Sequence, residues 1–263
     1  MYAKIDYDGS HVHPERISAV KAYALITETS RRRASIRLVH LSWLGTYAMI
    51  FLIPMPPEAW RWGAFLFGWS GCLLPLLLSD GIFGDDVASG RIRLLVTEPI
   101  RSWELYLYRF LGLSLQAALH ILLAGALILL LHGLSGRGSV DRFGVWMLAS
   151  WLIFNAWTAL STSLSVVVRR SHNSMLLFIT AALVFLVLSF LLSFFPENPG
   201  TKAYLAVLRY TCPPVELLGK IGVGKCSLPA GVANVACSLT LTALYGAVGI
   251  VLLGRREFKF VVD

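Results

Sequence analysis

The chain has 263 residues, of which 56% are hydrophobic and 14% charged, and its formal net charge is +8. Soluble domains carry about 25% charged residues, so this composition excludes an ordinary water-soluble protein and indicates one membrane domain. The Lys and Arg residues cluster at the ends of hydrophobic runs. Membrane orientation therefore explains the positive charge and argues against nucleic acid as a partner.

The N-terminal 37 residues hold seven Lys and Arg residues and no long apolar core. A cleavable signal peptide needs such a core, so we expect the first span to be a retained anchor with its N-terminus in the cytoplasm. Residues 17–34 repeat apolar side chains at helical spacing and predict an interfacial helix. Simple electrostatic anchoring of this basic segment is the alternative. The apolar positions are Ala19, Ala22, Tyr23 and Ile26.

Hydrophobic runs along the rest of the chain predict six membrane-spanning helices, since about 20 apolar residues cross the hydrocarbon layer. The runs are 38–53, 62–79, 105–131, 144–168, 174–195 and 231–253. With both termini inside, inner segments carry sixteen of the 23 Lys and Arg residues and outer segments carry seven. This bias predicts a multi-pass protein of the cell membrane with both termini in the cytoplasm.

All 15 acidic residues lie outside the predicted spans or at their edges. Carriers driven by ions usually hold the coupling ion with a carboxylate inside the membrane, so we expect the energy to come from a separate ATPase. Residues 219–226 nearly match a phosphate-binding loop, but Cys226 stands where the magnesium-binding hydroxyl belongs. The predicted topology also places this segment outside. The chain is therefore expected to bind no cofactor and to have no catalytic residue of its own.

The second inner segment, residues 80–104, is too long for a plain connector between two helices. It starts with Asp85 and Asp86, which favour a helix N-terminus, and Pro99 ends the helix-compatible stretch. This pattern predicts a short helix that lies across the inner face, exposed to a partner.

The same segment resembles the type-2 ABC exporter permeases. The resemblance rests on Gly84-Asp85-Asp86, on Gly90 followed by Leu94-Leu95, on Pro99-Ile100, and on Arg109 ahead of Leu111-Gly112. Six spans, a long outer segment before the last span and a short basic tail are also similar. The chain departs from the family pattern in having Arg91 after the loop glycine and Arg109 in place of a frequent lysine. Residues 1–15 have no counterpart in the pattern.

The resemblance implies a dimeric membrane unit with two cytoplasmic ABC ATPase subunits, which bind ATP and Mg. The second permease is another copy of this chain or a paralogue. The inner segment then acts as a coupling helix that sits in a groove of the ATPase, and its alternative is a solvated loop against lipid headgroups. By position, the contact candidates are Asp85, Asp86, Gly90, Arg91, Leu94, Leu95 and Glu98.

A few polar residues fall inside the predicted spans. Gln116 and His120 share one face of the third span, and Asn155 lies in the fourth. They predict either interhelical hydrogen bonds or a substrate path. Residues 68–71 match the nucleophile segment of rhomboid proteases, with His120 as a base, but the serine lies in an earlier span than in that family. No His, Cys or carboxylate spacing predicts a metal site.

The outer segment 196–230 is too long for a bare connector. The resemblance implies short helices that dip back toward the membrane, and a surface loop is the alternative. Cys212 and Cys226 lie in this segment, where they either form a disulfide or remain two thiols.

The sequence thus predicts an all-α membrane protein and, from the resemblance, the permease of an ATP-driven exporter. A permease-like subunit of a non-transporting assembly or maturation complex is the alternative, and an intramembrane serine protease is a remote one. No residue of the predicted spans indicates which substrate would be transported.

Overall fold

A computed structural model describes residues 74–88, 101–135, 143–168, 172–211 and 228–255, with isolated positions between 23 and 49. Within these residues the chain is helical and has no strand, which confirms the predicted fold class of a helical membrane protein. The helices with described bounds are α1 Gly84–Ala88, α2 Ser102–Ser135, α3 Phe143–Val167, α4 His172–Phe194, α5 Pro199–Thr211 and α6 Leu228–Arg255.

The long helices α2, α3, α4 and α6 coincide with the last four predicted spans and differ from them by a few residues at each end. Of these helices, α2, α4 and α6 contain stretches that are long and apolar enough to cross a membrane. The predicted first span lies almost entirely outside the described residues, as does most of the second. Tyr23 and Ile26 are helical, but the rest of the predicted interfacial helix also lies outside.

Local capping explains where two of the helices begin. The Glu104 side chain accepts a hydrogen bond from the Arg101 backbone N–H at 3.0 Å, which is half of a capping box at the start of α2. Asn198 caps α5, because its side-chain oxygen accepts from the Gly200 N–H at 2.8 Å. Pro199 then occupies the first helical position, where its missing N–H costs nothing.

Helix α3 is the centre of the described bundle. It packs most extensively against α6 and then against α2, and it also contacts α4 and α1. Phe154, Ala156 and Ala159 on this helix are fully buried. A glycine allows the close approach of α6, because a Cβ at Gly249 would collide with the Tyr106 ring and the Ser163 hydroxyl.

The apolar helix α4 lies at the periphery of the described bundle. Only 6% of its apolar stretch is buried, against 44% for α2. Phe178, Leu183 and Leu186 are all exposed. These side chains suit contact with lipid, because a helix that is apolar all round is at home in hydrocarbon.

The described part of the predicted outer segment contains a helix. Helix α5 covers residues 199–211 and packs against α4, and the Tyr245 hydroxyl of α6 donates a hydrogen bond to the Thr211 carbonyl. Residues 212–227 lie outside the described part of the chain, so the positions of Cys212 and Cys226 are not described.

Candidate functional site at one end of the bundle

One end of the bundle gathers a turn, α1 and the ends of four long helices. Residues 74–78 are helical and lead into a turn at 79–83, which α1 follows directly. Gly81 in this turn has φ of +60°, a left-handed conformation that glycine adopts without strain. We call this assembly the inner junction, after its predicted side of the membrane. It comprises residues 79–88 with the start of α2, the end of α3, the start of α4 and the end of α6.

A buried ion pair joins α1 to α2 in the inner junction. The Arg109 Nη2 donates to Asp86 Oδ2 at 3.0 Å, and both side chains are at most 2% exposed. Removing one partner of a buried pair typically costs about 3–5 kcal/mol, because the other charge stays buried. The pair therefore fixes α1 against α2. Sequence reasoning placed Arg109 at the edge of a span and missed its partner.

The structure places Asp86 inside the fold rather than on a surface that a partner would touch. Asp85, one residue earlier, is exposed on the same short helix. Both carboxylates at the start of the helix were expected to be exposed to a partner, and of the two only Asp85 is exposed. Asp86 is turned inward by Arg109. The other predicted contact residues, Gly90, Arg91, Leu94, Leu95 and Glu98, lie outside the described residues.

Asn173, the second residue of α4, holds the turn through both ends of its amide. Its Oδ1 accepts from the Gly81 N–H at 2.9 Å, and its Nδ2 donates to the Ser79 carbonyl at 3.2 Å. The same Nδ2 lies 3.1 Å from Ser161 Oγ on α3. Asn173, Ser79 and Ser161 are completely buried. Sequence reasoning did not identify Asn173, whose signal is an amide at the start of an apolar run.

Further hydroxyl groups strengthen the same region. The Ser79 hydroxyl lies 2.6 Å from the Ser161 hydroxyl. The Ser174 hydroxyl donates to the Leu76 carbonyl, just ahead of the turn. Three elements that are far apart in the sequence, residues 74–83, α3 and α4, are therefore fastened by polar bonds in a place where water is excluded.

A second polar cluster ties α2, α3 and α6 together beside the ion pair. The Tyr106 hydroxyl lies 3.0 Å from Ser163 Oγ and 3.1 Å from the Ala159 carbonyl. Ser163 Oγ also lies 2.6 Å from the Tyr245 carbonyl of α6. The Tyr106 ring stacks on Phe83 with 5.8 Å between centroids. One aromatic side chain thus links the turn to the three central helices.

The polar residues predicted in the third and fourth spans are all buried. Gln116 and His120 lie on α2, and Asn155 lies on α3. The Asn155 Nδ2 donates to the Trp151 carbonyl at 2.9 Å, and the Trp151 indole N–H donates to the Ser114 carbonyl of α2 at 3.2 Å. Asn155 therefore lies close to the α2–α3 contact. Residues 68–71, the protease-like segment, lie outside the described residues.

No group of three or more His, Cys, Asp or Glu side chains in the described ranges is arranged to hold a metal ion. Cys237 is a half-buried thiol on α6. The inner junction offers a mechanical connection, since it contains one ion pair and a set of neutral hydrogen bonds between helices.

The long apolar helices and the buried polar contacts between them define a polytopic helical membrane protein. The sequence model of the family described as "ABC-2 family transporter protein" matches residues 15–258. The chain belongs to this family, which confirms the resemblance seen in the sequence. It is a membrane permease of an ABC transporter, and the family implies partnership with an ATP-binding subunit. A comparison with curated proteins finds no match.

Proposed function

We propose that this chain forms the translocation pathway of an ATP-driven exporter and receives the movement of its ATPase at the inner junction. The observation that carries the proposal is the buried ion pair between Asp86 and Arg109. It joins the start of the predicted coupling segment, residues 80–104, to α2, a helix that is long and apolar enough to span the membrane. A force on the segment would therefore reach α2 without passing through a flexible connection.

The coupling segment has two kinds of residue in this proposal. The first touches the ATPase and comprises Asp85 and the later positions Gly90, Arg91, Leu94, Leu95 and Glu98. The second supports the segment from behind, and here we place Asp86. Because separating Asp86 from Arg109 would leave two buried charges uncompensated, a displacement of the segment moves α2 with it.

The proposed complex contains two permease chains, either two copies of this one or one copy with a paralogue, and two cytoplasmic ATPase subunits. ATP and Mg bind to the ATPase. Both permease termini face the cytoplasm of the cell-membrane protein, in line with the distribution of Lys and Arg. The structure supports this orientation, because Arg101, Arg109 and Arg255 all lie at the junction end of the bundle.

The contact between α2 and α3 is the part of the bundle that best suits a polar path. Asn155, Thr158 and Thr162 recur on α3 at helical spacing and share the face of Trp151, which bonds to α2. Across the part of the chain that the structure describes, Asn155 Oδ1 and both threonine hydroxyls are buried without a hydrogen bond. We place Gln116 and His120 with them as pathway or packing residues.

The test is purification of the tagged permease from its native membranes, once as the wild-type chain and once as the Leu95→Asp variant. We expect wild type to bring down a soluble protein with a complete phosphate-binding loop, and the complex to hydrolyse ATP. Leu95→Asp places a charge on an apolar contact, which costs several kcal/mol unless the charge is paired. It should reduce the amount of ATPase recovered at equal permease abundance.

The matched control is Ala206→Asp, which adds the same charge at an exposed position of α5, on the predicted outer side. It should leave ATPase recovery unchanged. Equal recovery with wild type and Leu95→Asp would show that the segment is not the coupling element. ATP hydrolysis by the permease alone would contradict the assignment of ATP to the partner.

A further inference from the structure

The inner junction contains a second connection, separate from the ion pair, whose residues reach different helices. Asp86 and Arg109 connect the coupling segment to α2. The Asn173 amide connects the turn ahead of α1 to α3 and α4. The turn and α1 are continuous in the chain, so any displacement of α1 acts on both connections.

Asn173 is well suited to transmit such a displacement. Its amide bonds to the backbone at two points of one turn, the Gly81 N–H at 2.9 Å and the Ser79 carbonyl at 3.2 Å. Two bonds from one planar group fix the orientation of the turn as well as its distance. The turn and the start of α4 should therefore move as one body.

The connection continues from Asn173 into α3 through Ser161. The Ser161 hydroxyl lies 3.1 Å from Asn173 Nδ2 and 2.6 Å from the Ser79 hydroxyl. All three side chains are excluded from solvent, so no water can replace a broken bond. Several interhelical bonds that act on one turn hold it more firmly than a single bond would.

We propose that Asn173 is a positioning residue that carries the displacement of the coupling segment to α3 and α4, while Arg109 carries it to α2. The inference rests on the proposed function, because it assumes that an ATPase moves the segment. It adds that the movement reaches α2 through Arg109 and reaches α3 and α4 through Asn173, and that a substitution can interrupt one route without the other.

The experiment measures labelling of single cysteines in inverted membrane vesicles that contain the permease and its ATPase, after the native cysteines are replaced by serine. Trp103→Cys reports on the start of α2 and Val167→Cys on the end of α3, since both side chains are exposed. The probe is a maleimide, with and without a non-hydrolysable ATP analogue. We expect the analogue to change the labelling rate at both positions in the otherwise unaltered chain.

Asn173→Ala should abolish the nucleotide-dependent change at position 167 and leave the change at position 103. Ser161→Ala removes only the hydroxyl on α3, so it should weaken the change at position 167 while folding more readily. Thr180→Ala is the control, because its hydroxyl bonds only to the Leu176 carbonyl of its own helix. It should alter neither position.

Three outcomes overturn the inference. An unchanged response at position 167 in both Asn173→Ala and Ser161→Ala would show that these bonds carry no movement. Equal loss at both positions in both variants would indicate a general structural role. Absence of any nucleotide response in the chain without these substitutions would contradict the proposed function together with this inference. This outcome differs from the other two, in which the chain responds to nucleotide and only the Asn173→Ala and Ser161→Ala variants decide.

Discussion

Helices α3 and α4 have similar lengths and opposite surroundings. Helix α3 carries many small and hydroxyl-bearing residues and lies at the centre of the described bundle, whereas α4 is mostly large and apolar after its first three residues and lies at the edge. In a water-soluble protein the more apolar helix would be the core. Lipid removes the hydrophobic drive between helices, so close packing and hydrogen bonds decide which helix is central.

The difference also explains where the function is expected. Helix α3 takes part in both polar clusters, through Ser161 in one and through Ser163 in the other. Within the described residues, helix α4 contributes to the first cluster alone and does so from its first turn, with Asn173 and Ser174. The rest of α4 meets little of the described protein.

The largest effect on stability is expected from substitutions in the Asp86–Arg109 ion pair of the inner junction. Arg109→Met leaves the Asp86 carboxylate buried without its guanidinium, so the free energy of unfolding should fall by about 3–5 kcal/mol. Adding Asp86→Asn to the same chain removes the uncompensated charge and should restore part of the loss. Thermal stability of the detergent-purified protein, followed by size-exclusion chromatography, compares the two variants. Equal stability of the single and double variants would contradict the pairing.

A smaller effect is expected where α6 approaches α3. Gly249→Ala forces a methyl group against Tyr106 and Ser163, and such overpacking typically costs about 1–3 kcal/mol. Gly246→Ala is a close control, because its methyl group would meet only a Tyr106 ring carbon at 3.9 Å, an ordinary contact. The same thermal measurement should separate the two alanines. Similar stabilities would mean that the helices lie farther apart than described.

The smallest effect compares one hydroxyl on each helix. Ser163→Ala removes the bonds that its hydroxyl makes to Tyr106 of α2 and to the Tyr245 carbonyl of α6, and we expect a loss of about 0.6 kcal/mol for each, the average for such bonds in a membrane protein. Thr180→Ala on α4 removes a bond within one helix and should be neutral. Unfolding of the two variants by titration with a denaturing detergent, measured in parallel, distinguishes their stabilities. A larger loss for Thr180→Ala would reverse the comparison.

The sequence predicted the long helices well because each is a long apolar run, and length alone identifies such a run in a membrane protein. It predicted that a helix begins near Asp85 because carboxylates favour a helix N-terminus. Periodicity could not predict which residues meet across the bundle. Asn173 and Gly81 are 92 positions apart, and nothing local to either indicates the other.

The inward turn of Asp86 was missed for a related reason. An acidic residue at a helix start is usually solvated, and only the position of Arg109, 23 residues later at the start of an apolar helix, signals a different outcome. A basic residue in an apolar run needs a partner. Searching the adjoining segment for acidic residues would have found Glu98 and Glu104 as well as Asp85 and Asp86, and the choice among them depends on the fold.

The ion pair also bears on how the chain enters the membrane. An arginine near the middle of an inserting helix costs about 2.5–3.5 kcal/mol on biological insertion scales, and Arg109 is the eighth residue of α2, close to its end. Asp86 is synthesised before it and is already present when α2 leaves the ribosome. We expect an ion pair formed at this stage to lower the cost of inserting α2, because it neutralises Arg109, and to hold α1 against that helix from the start. The contact between α1 and α2 would then be built during biogenesis.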